Sequence, residues 1–210
     1  MIGNASKGVS CVTDRRAERR AAKRAAIIAE AWALARRDGL GALSLHDLAA
    51  AVGLRQPSLY VYFDSKLALY DALFADGYRQ LLDFTKERDY SGEPRGTLAR
   101  FLREQVAWSG ADFVRFQILF QRSIPGFEPS PDSWALAVEF YEIASAVLSA
   151  AGLTEQSDID LFSALISGMS SQQAANDPGG KRWAQHADLA VDMFLAAAKR
   201  RSTNRTGGRK

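Results

Sequence analysis

The chain has few of the residues that most often carry chemistry. It holds one cysteine, Cys11, and two histidines, His46 and His186. A single cysteine excludes an intramolecular disulfide framework and a cysteine cluster for zinc. No nucleophile–base pair, phosphate-cradling glycine loop or metal-ligand spacing appears, which argues against an enzyme and against a bound metal or cofactor. No run reaches the roughly 18 consecutive apolar residues of a membrane span. The N-terminus lacks the apolar run of a signal peptide. A cytoplasmic protein with no membrane partner is therefore expected. No stretch reads as a strand, and no internal repeat is present. Three of the six prolines fall in one stretch, RSIPGFEPSP at 122–131, which reads as a long irregular connection.

What the chain does have is apolar content, 47% of 210 residues, enough for one sizeable core or two small ones. Its net charge of +3 conceals a division. Residues 1–66 carry 11 Lys/Arg against 6 Asp/Glu, residues 67–198 carry 10 against 18, and residues 199–210 carry 6 against none. A basic head on an acidic body predicts that the head alone meets a polyanion, unless the division is ordinary fluctuation.

The most informative stretch is 45–66, LHDLAAAVGLRQPSLYVYFDSK. Leu45, Leu48, Ala49 and Val52 recur at i, i+3, i+4 and i+7, one apolar helix face. Ser44 precedes that face as an N-cap and Asp47 makes the first turn acidic. Gly53 ends the helix and Leu54 plugs the turn. Pro57 fits the first turn of a second helix, expected to run to about Phe63 with Leu59 and Phe63 inward. Asp64 or Ser65 caps a third helix opening at Lys66. Helix, glycine turn, helix is the helix-turn-helix unit. Its second helix carries Arg55, Gln56, Ser58, Tyr60 and Tyr62 outside the apolar pair, side chains of the kind that touch base edges and phosphates. A plain helical hairpin is the competing reading, and capping, turn and polar face all favour the former.

These residues resemble the DNA-binding domain of the TetR/AcrR transcriptional repressors. Gln56-Pro57-Ser58-Leu59-Tyr60, then Tyr62-Phe63 and Lys66, is close to that family's recognition-helix signature, and the likeness spans about residues 24–74. Val61, where the family often has a larger aromatic, and Arg55, variable in the family, bear on base preference. The resemblance implies that Gln56, Pro57 and Ser58 meet bases and that Tyr60, Tyr62 and Lys66 hold phosphate. Ser44, at a helix start, would hold another phosphate; His46 and Arg55 are further candidates. The expected fold is all-α: an N-terminal three-helix helix-turn-helix domain, then a helical-bundle domain for ligand binding and dimerisation, about nine helices in all. The expected division is 1–13 a disordered leader, 14–66 the DNA-binding domain, 67–199 the effector and dimer domain, and 200–210 a disordered basic tail.

Before the head, DRRAERRAAKR begins a helix over 14–37. Arg20 and Arg24, with Arg15, Arg16, Arg19 and Lys23, can follow phosphates or enter a minor groove, or form a solvated helix end. Helices are also expected over 66–88, 97–108, 113–120, 133–151, 154–173 and 182–199. The first of these is the natural lever between head and body. Aromatics crowd the middle of the body. By resemblance this region encloses an apolar effector cavity, with Trp108, Phe113, Phe116, Gln117, Phe120, Trp134 and Tyr141 as candidate lining. Arg115, Gln121 and Arg122 are candidate polar contacts. The last helix is apolar almost all round, and the one before it is rich in small residues. Together they predict a homodimer built as a four-helix interface, with Phe162, Ile166, Ser170, Leu189, Met193 and Phe194 facing the partner. The expected partners are double-stranded DNA with a palindromic operator, a small apolar or amphipathic effector, and a second copy of the chain. The competing functions are a helical adaptor, whose helix-turn-helix makes protein contacts only, and a small-molecule-processing enzyme.

Overall fold

The computed structural model describes residues 7–207, with side chains from 15 to 201. Among the described residues there are nine α-helices, one 3-10 turn and no strand. The helices are α1 (Lys7–Asp38), α2 (Leu45–Ala51), α3 (Gln56–Leu59), α4 (Lys66–Lys86), α5 (Pro94–Gly110), α6 (Phe113–Phe120), α7 (Pro131–Ala150), α8 (Gln156–Asn176) and α9 (Ala187–Gly207). The 3-10 turn is Ala184–His186. No helix is long and apolar enough to cross a membrane among the described residues.

The chain forms two compact units. The head runs to Leu73 and also takes in Ile124–Glu128; the body is Phe74–Ser123 and the chain from Pro129. The expected boundary at residue 66 is therefore moved. The first two turns of α4 belong to the head because Leu69, Tyr70 and Leu73 are buried, with the Tyr70 hydroxyl donating to the Leu40 carbonyl at 2.6 Å. Phe127, from the proline-rich connection, sets its ring against Tyr70 at 6.3 Å. Ile27, Ala31, Trp32, Leu43, Leu48 and Leu59 complete the head's core.

In the body, α5 is the central helix and packs on α6, α7, α8, the 3-10 turn and α9. Leu98, Phe101, Leu102 and Val106 are all 0% exposed along it. Phe101 stacks on Phe162 of α8 at 6.4 Å and meets Tyr90 edge-on at 5.0 Å. Pro94 at the first turn and Glu93, whose carboxylate accepts from the Arg95 and Gly96 amides, start α5 three residues earlier than residue 97. Gly110 allows its close approach to α8, since a Cβ there would lie 2.6 Å from Gln173 Cγ.

Three expectations about element ends are corrected. The first helix of the head begins at Lys7, so residues 7–13 are helical, not a disordered leader; residues 1–6 lie outside the described residues. The last helix begins at Ala187 after the 3-10 turn and continues to Gly207, through most of the expected tail; 208–210 lie outside the described residues. In both cases the helical backbone carries on beyond the stretch that the apolar period marks. The third correction concerns α3, which has four residues and stops at Leu59. The Tyr62 and Phe63 amides both donate to the Leu59 carbonyl, tightening the chain into a turn. Ser65 then caps α4, its Oγ accepting from the Ala68 amide at 3.0 Å, so the backbone must leave the helix first. Tyr60, Val61 and Tyr62 are also weaker helix formers than straight-chain residues.

Candidate functional site

The reading unit of the head is built by local chemistry. Ser44 is the N-cap of α2, its Oγ accepting from the Asp47 amide at 3.3 Å. Gly53, at φ +68°, turns the chain, and the Leu54 amide closes back on the Ala49 carbonyl at 2.8 Å. Pro57 sits in the first turn of α3. Leu59 and Phe63 are buried, which leaves Arg55, Gln56, Pro57 and Tyr60 exposed and Ser58 and Tyr62 half-buried. His46 is exposed on α2, and Lys66 is half-buried with its ammonium 5.6 Å from the centre of the Tyr70 ring.

The cations of α1 divide into two kinds. Arg20 donates from Nη2 to the Val61 carbonyl at 2.9 Å, and Lys23 donates to the Val52 carbonyl at 2.8 Å. Lys23 fastens the C-terminal end of α2, and Arg20 the chain just beyond α3, onto α1. Arg24 sets its guanidinium 5.0 Å from the Phe63 ring centre and is otherwise exposed. Arg15, Arg16 and Arg19 are exposed. At 100° per residue, all six cations from 15 to 24 fall within about half the helix circumference, while Glu18 and the alanines fill the other half. The fastening role of Arg20 and Lys23 was missed in the sequence. The signal available was the pairing of cations at i, i+1, i+4, i+5, i+8 and i+9.

The body holds a pocket of about 530 Å³, open to solvent on the side where Trp134, Val138 and Tyr141 are exposed. Phe116 and Phe120 of α6 form one wall, and Trp134, Ala137, Val138, Phe140, Tyr141, Ala144 and Leu148 of α7 form another. Gln105 and Ser109 come from α5, Tyr78 from α4, and Phe162, Ser163, Ile166 and Ser167 from α8. Burial pushes the Tyr78 phenol up, so it keeps its proton, and it donates to the Leu119 carbonyl at 3.4 Å. Of the sequence candidates, Phe116, Phe120, Trp134 and Tyr141 line this space. Trp108, Phe113 and Gln117 do not. The indole of Trp108 is buried between the Arg115 guanidinium, 3.6 Å from the ring centre, and Phe84. Phe113 shares the face of Phe116 and stacks on its ring at 6.3 Å, but it sits at the start of α6, exposed and outside the lining. Arg115, also bonded to Gln80 Oε1 and the Trp108 carbonyl, lies outside the lining, as do Gln121 and Arg122. Tyr78, Gln105, Ser109 and the α8 serines were missed, because each lies on a helix whose apolar stripe alone was read.

The candidate partner-facing residues separate in the same way. Phe162, Ser170 and Phe194 are buried within the one chain, and Ile166, half-buried, lines the cavity. Leu189 and Met193 are 61% and 66% exposed on one face of α9, with Ala196. Leu161, Ala164 and Gly168 form an exposed apolar face on α8.

Comparison with known proteins places this architecture. A family model, that of the bacterial regulatory proteins of the tetR family, matches residues 27–73, the stretch that builds the reading unit. No curated protein matches the chain by sequence. Among solved structures, the protein SCO4313 is 26% identical, covers 85% of this chain and 98% of its own, and superposes with a TM-score of 0.69. AibR, solved with isovaleryl coenzyme A and operator DNA, shares the fold at 20% identity over 81% of this chain and 97% of its own, TM-score 0.62. So does a TetR variant from Acinetobacter baumannii AYE in complex with minocycline, at 21% identity over 84% and 96%, TM-score 0.57. Residues 27–73 thus carry the sequence pattern of the tetR family of bacterial regulatory proteins, and the chain as a whole shares the fold of solved regulators of that type.

Proposed function

We propose that this protein is a cytoplasmic repressor that binds a palindromic operator as a homodimer and leaves it when a small apolar molecule fills the body cavity. The observation that carries the reading is the joint presence, in one chain, of a cation-flanked helix-turn-helix and a cavity of about 530 Å³, inside the roughly 300–1,000 Å³ range of small-molecule sites. Gln56 pairs with adenine, Pro57 touches a thymine methyl and Ser58 lies beside them. Tyr60, Tyr62, Lys66 and the Ser44 hydroxyl meet phosphates, with His46 and Arg55 as flanking contacts. Leu189, Met193 and Ala196 with Leu161, Ala164 and Gly168 give each copy a self-complementary face, and two heads about 35 Å apart meet successive major grooves. The chain leaves α6 and reaches α7 through Ile124–Glu128, a segment of the head, and α6 and α7 both line the cavity. A ligand that favours one arrangement of these helices therefore has a covalent route to the head, and it shifts DNA binding by its differential affinity for the two states.

The test is selection of bound duplexes from a random pool, followed by a compound screen for release. Gln56→Ala is expected to change the selected sequence, whereas Tyr60→Ala weakens all sequences alike. Equal loss on selected and random DNA for Gln56→Ala contradicts the base-reading role.

A further inference from the structure

The wall of the body cavity also limits the chemistry of its occupant, an argument that rests on the effector-release reading above. No lining residue carries a charge. Phe116, Phe120, Trp134 and Phe140 supply aromatic faces on α6 and α7. The polar groups are neutral. Gln105 and Ser109, one turn apart on α5, are each 2% exposed. The Gln105 amide donates to Thr85 Oγ1 across 3.4 Å, a long bond, and also hydrogen-bonds the Tyr90 hydroxyl. On α8, Ser163 and Ser167 line the cavity. Ser170, on the same helix face one turn further, is 0% exposed and its Oγ has no hydrogen-bond partner among the described residues. Tyr78 directs its proton to the Leu119 carbonyl. Arg115, the cation of α6, is held against Trp108 and Gln80 outside the lining.

We infer that the effector is an uncharged aromatic molecule carrying one hydroxyl, amide or carbonyl group, its rings among the aromatics of α6 and α7 and its polar group on Gln105 and Ser109. An ionised carboxylate or a phosphate finds no cation in this wall, and burying it unpaired is costly. The cheapest entry for a carboxylate is to take up a proton. For a group titrating near pH 4, that costs about a thousandfold in affinity at pH 7.5. The isovaleryl coenzyme A held by AibR is thus the wrong class of ligand for this cavity.

The experiment titrates the full-length protein, free and on its selected duplex, with 2-naphthol, naphthalene, 2-naphthoate and isovaleryl coenzyme A, followed by calorimetry. 2-Naphthol is expected to saturate one site per protomer, with naphthalene about tenfold weaker for want of the hydrogen bond. 2-Naphthoate is expected about a thousandfold weaker at pH 7.5 and about tenfold tighter at pH 6.5 than at pH 7.5, because it binds with its proton. Isovaleryl coenzyme A should not compete. Gln105→Leu should lower 2-naphthol to the affinity of naphthalene while naphthalene itself still binds, which reports an intact cavity; Ser109→Ala, a smaller change, should move the same way. The inference is overturned if 2-naphthoate or isovaleryl coenzyme A binds as tightly as 2-naphthol, or if 2-naphthol shows no saturable binding. Saturable 2-naphthol binding that leaves the duplex in place supports the cavity chemistry and refutes release.

Discussion

Gly110→Ala is expected to loosen the body at one point of helix contact. The added Cβ would stand 2.6 Å from Gln173 Cγ and 3.4 Å from Gln173 Cβ. The obstacle is the root of a side chain rather than a free end. Gln173 is 1% exposed and fastened at its tip. Its amide nitrogen donates to the Asp177 carbonyl and carboxylate, and its amide oxygen accepts from the Trp183 backbone at 2.8 Å. Relief must come from separating α5 and α8, an overpacking cost of about 1–3 kcal/mol, or from breaking buried hydrogen bonds at about 1 kcal/mol or more each. The better helix propensity of alanine offsets at most about 1 kcal/mol. The balance is a loss of about 2 kcal/mol, which in a chain of this size lowers Tm by about 4–8 °C. Thermal unfolding at fixed protein concentration reads it, since any self-association makes Tm concentration-dependent. In the double variant with Gln173→Ala the clash is gone, so the two effects should couple favourably by about 1–2 kcal/mol. A neutral or stabilising Gly110→Ala, or strictly additive effects, refutes the reasoning.

Arg95 bridges α5 to α9, its guanidinium meeting Asp188 and Asp192 at 2.8 Å each, with Arg103 also on Asp188. Hydrogen bonds from Arg95 hold both carboxyls below the usual range. Groups with lowered folded values stabilise above the unfolded value and lose that contribution as pH falls through the folded one. Arg95→Ala should therefore lower urea stability at pH 7, and its gap to the parent should narrow as pH falls below about 4 toward the lowered folded values; a gap that does not narrow at all between pH 7 and pH 3 excludes the pairing. Gly168→Ala meets nothing within 4 Å inside the chain and adds helix propensity worth about 1 kcal/mol. If α8 faces a second copy, the same change weakens dimerisation in sedimentation runs; unchanged association removes Gly168 from the interface. Arg20→Ala frees the Val61 carbonyl and should speed amide exchange at Tyr62 and Phe63 and weaken DNA binding about threefold to tenfold. Unchanged exchange would deny Arg20 its fastening role.

The sequence is most legible where one helix settles its own form. The Ser44 cap, the Gly53 turn and Pro57 at the start of α3 are all local chemistry, and each is where the spacing places it. Ends that depend on a neighbour are less legible. α3 stops at Leu59 because Ser65 must cap the next helix. The α6 stripe of Phe113, Phe116, Gln117 and Phe120 shows which residues share a face, yet only Phe116 and Phe120 meet the void. Helical period records shared direction; it does not record what lies opposite. Phe162 and Phe194 read equally well as interface or core, and their ring contact at 5.4 Å within one chain decides for core.

The anchoring of α2 and α3 by Arg20 and Lys23 has a consequence for measurements in salt. Cations already engaged with carbonyl oxygens inside the head are poorly placed to displace condensed counterions from a duplex. The slope of log affinity against log salt, about 0.9 per phosphate neutralised, should therefore fall short of what the six positive side chains of that stretch imply. Arg15, Arg16, Arg19 and Arg24 remain exposed to set that slope.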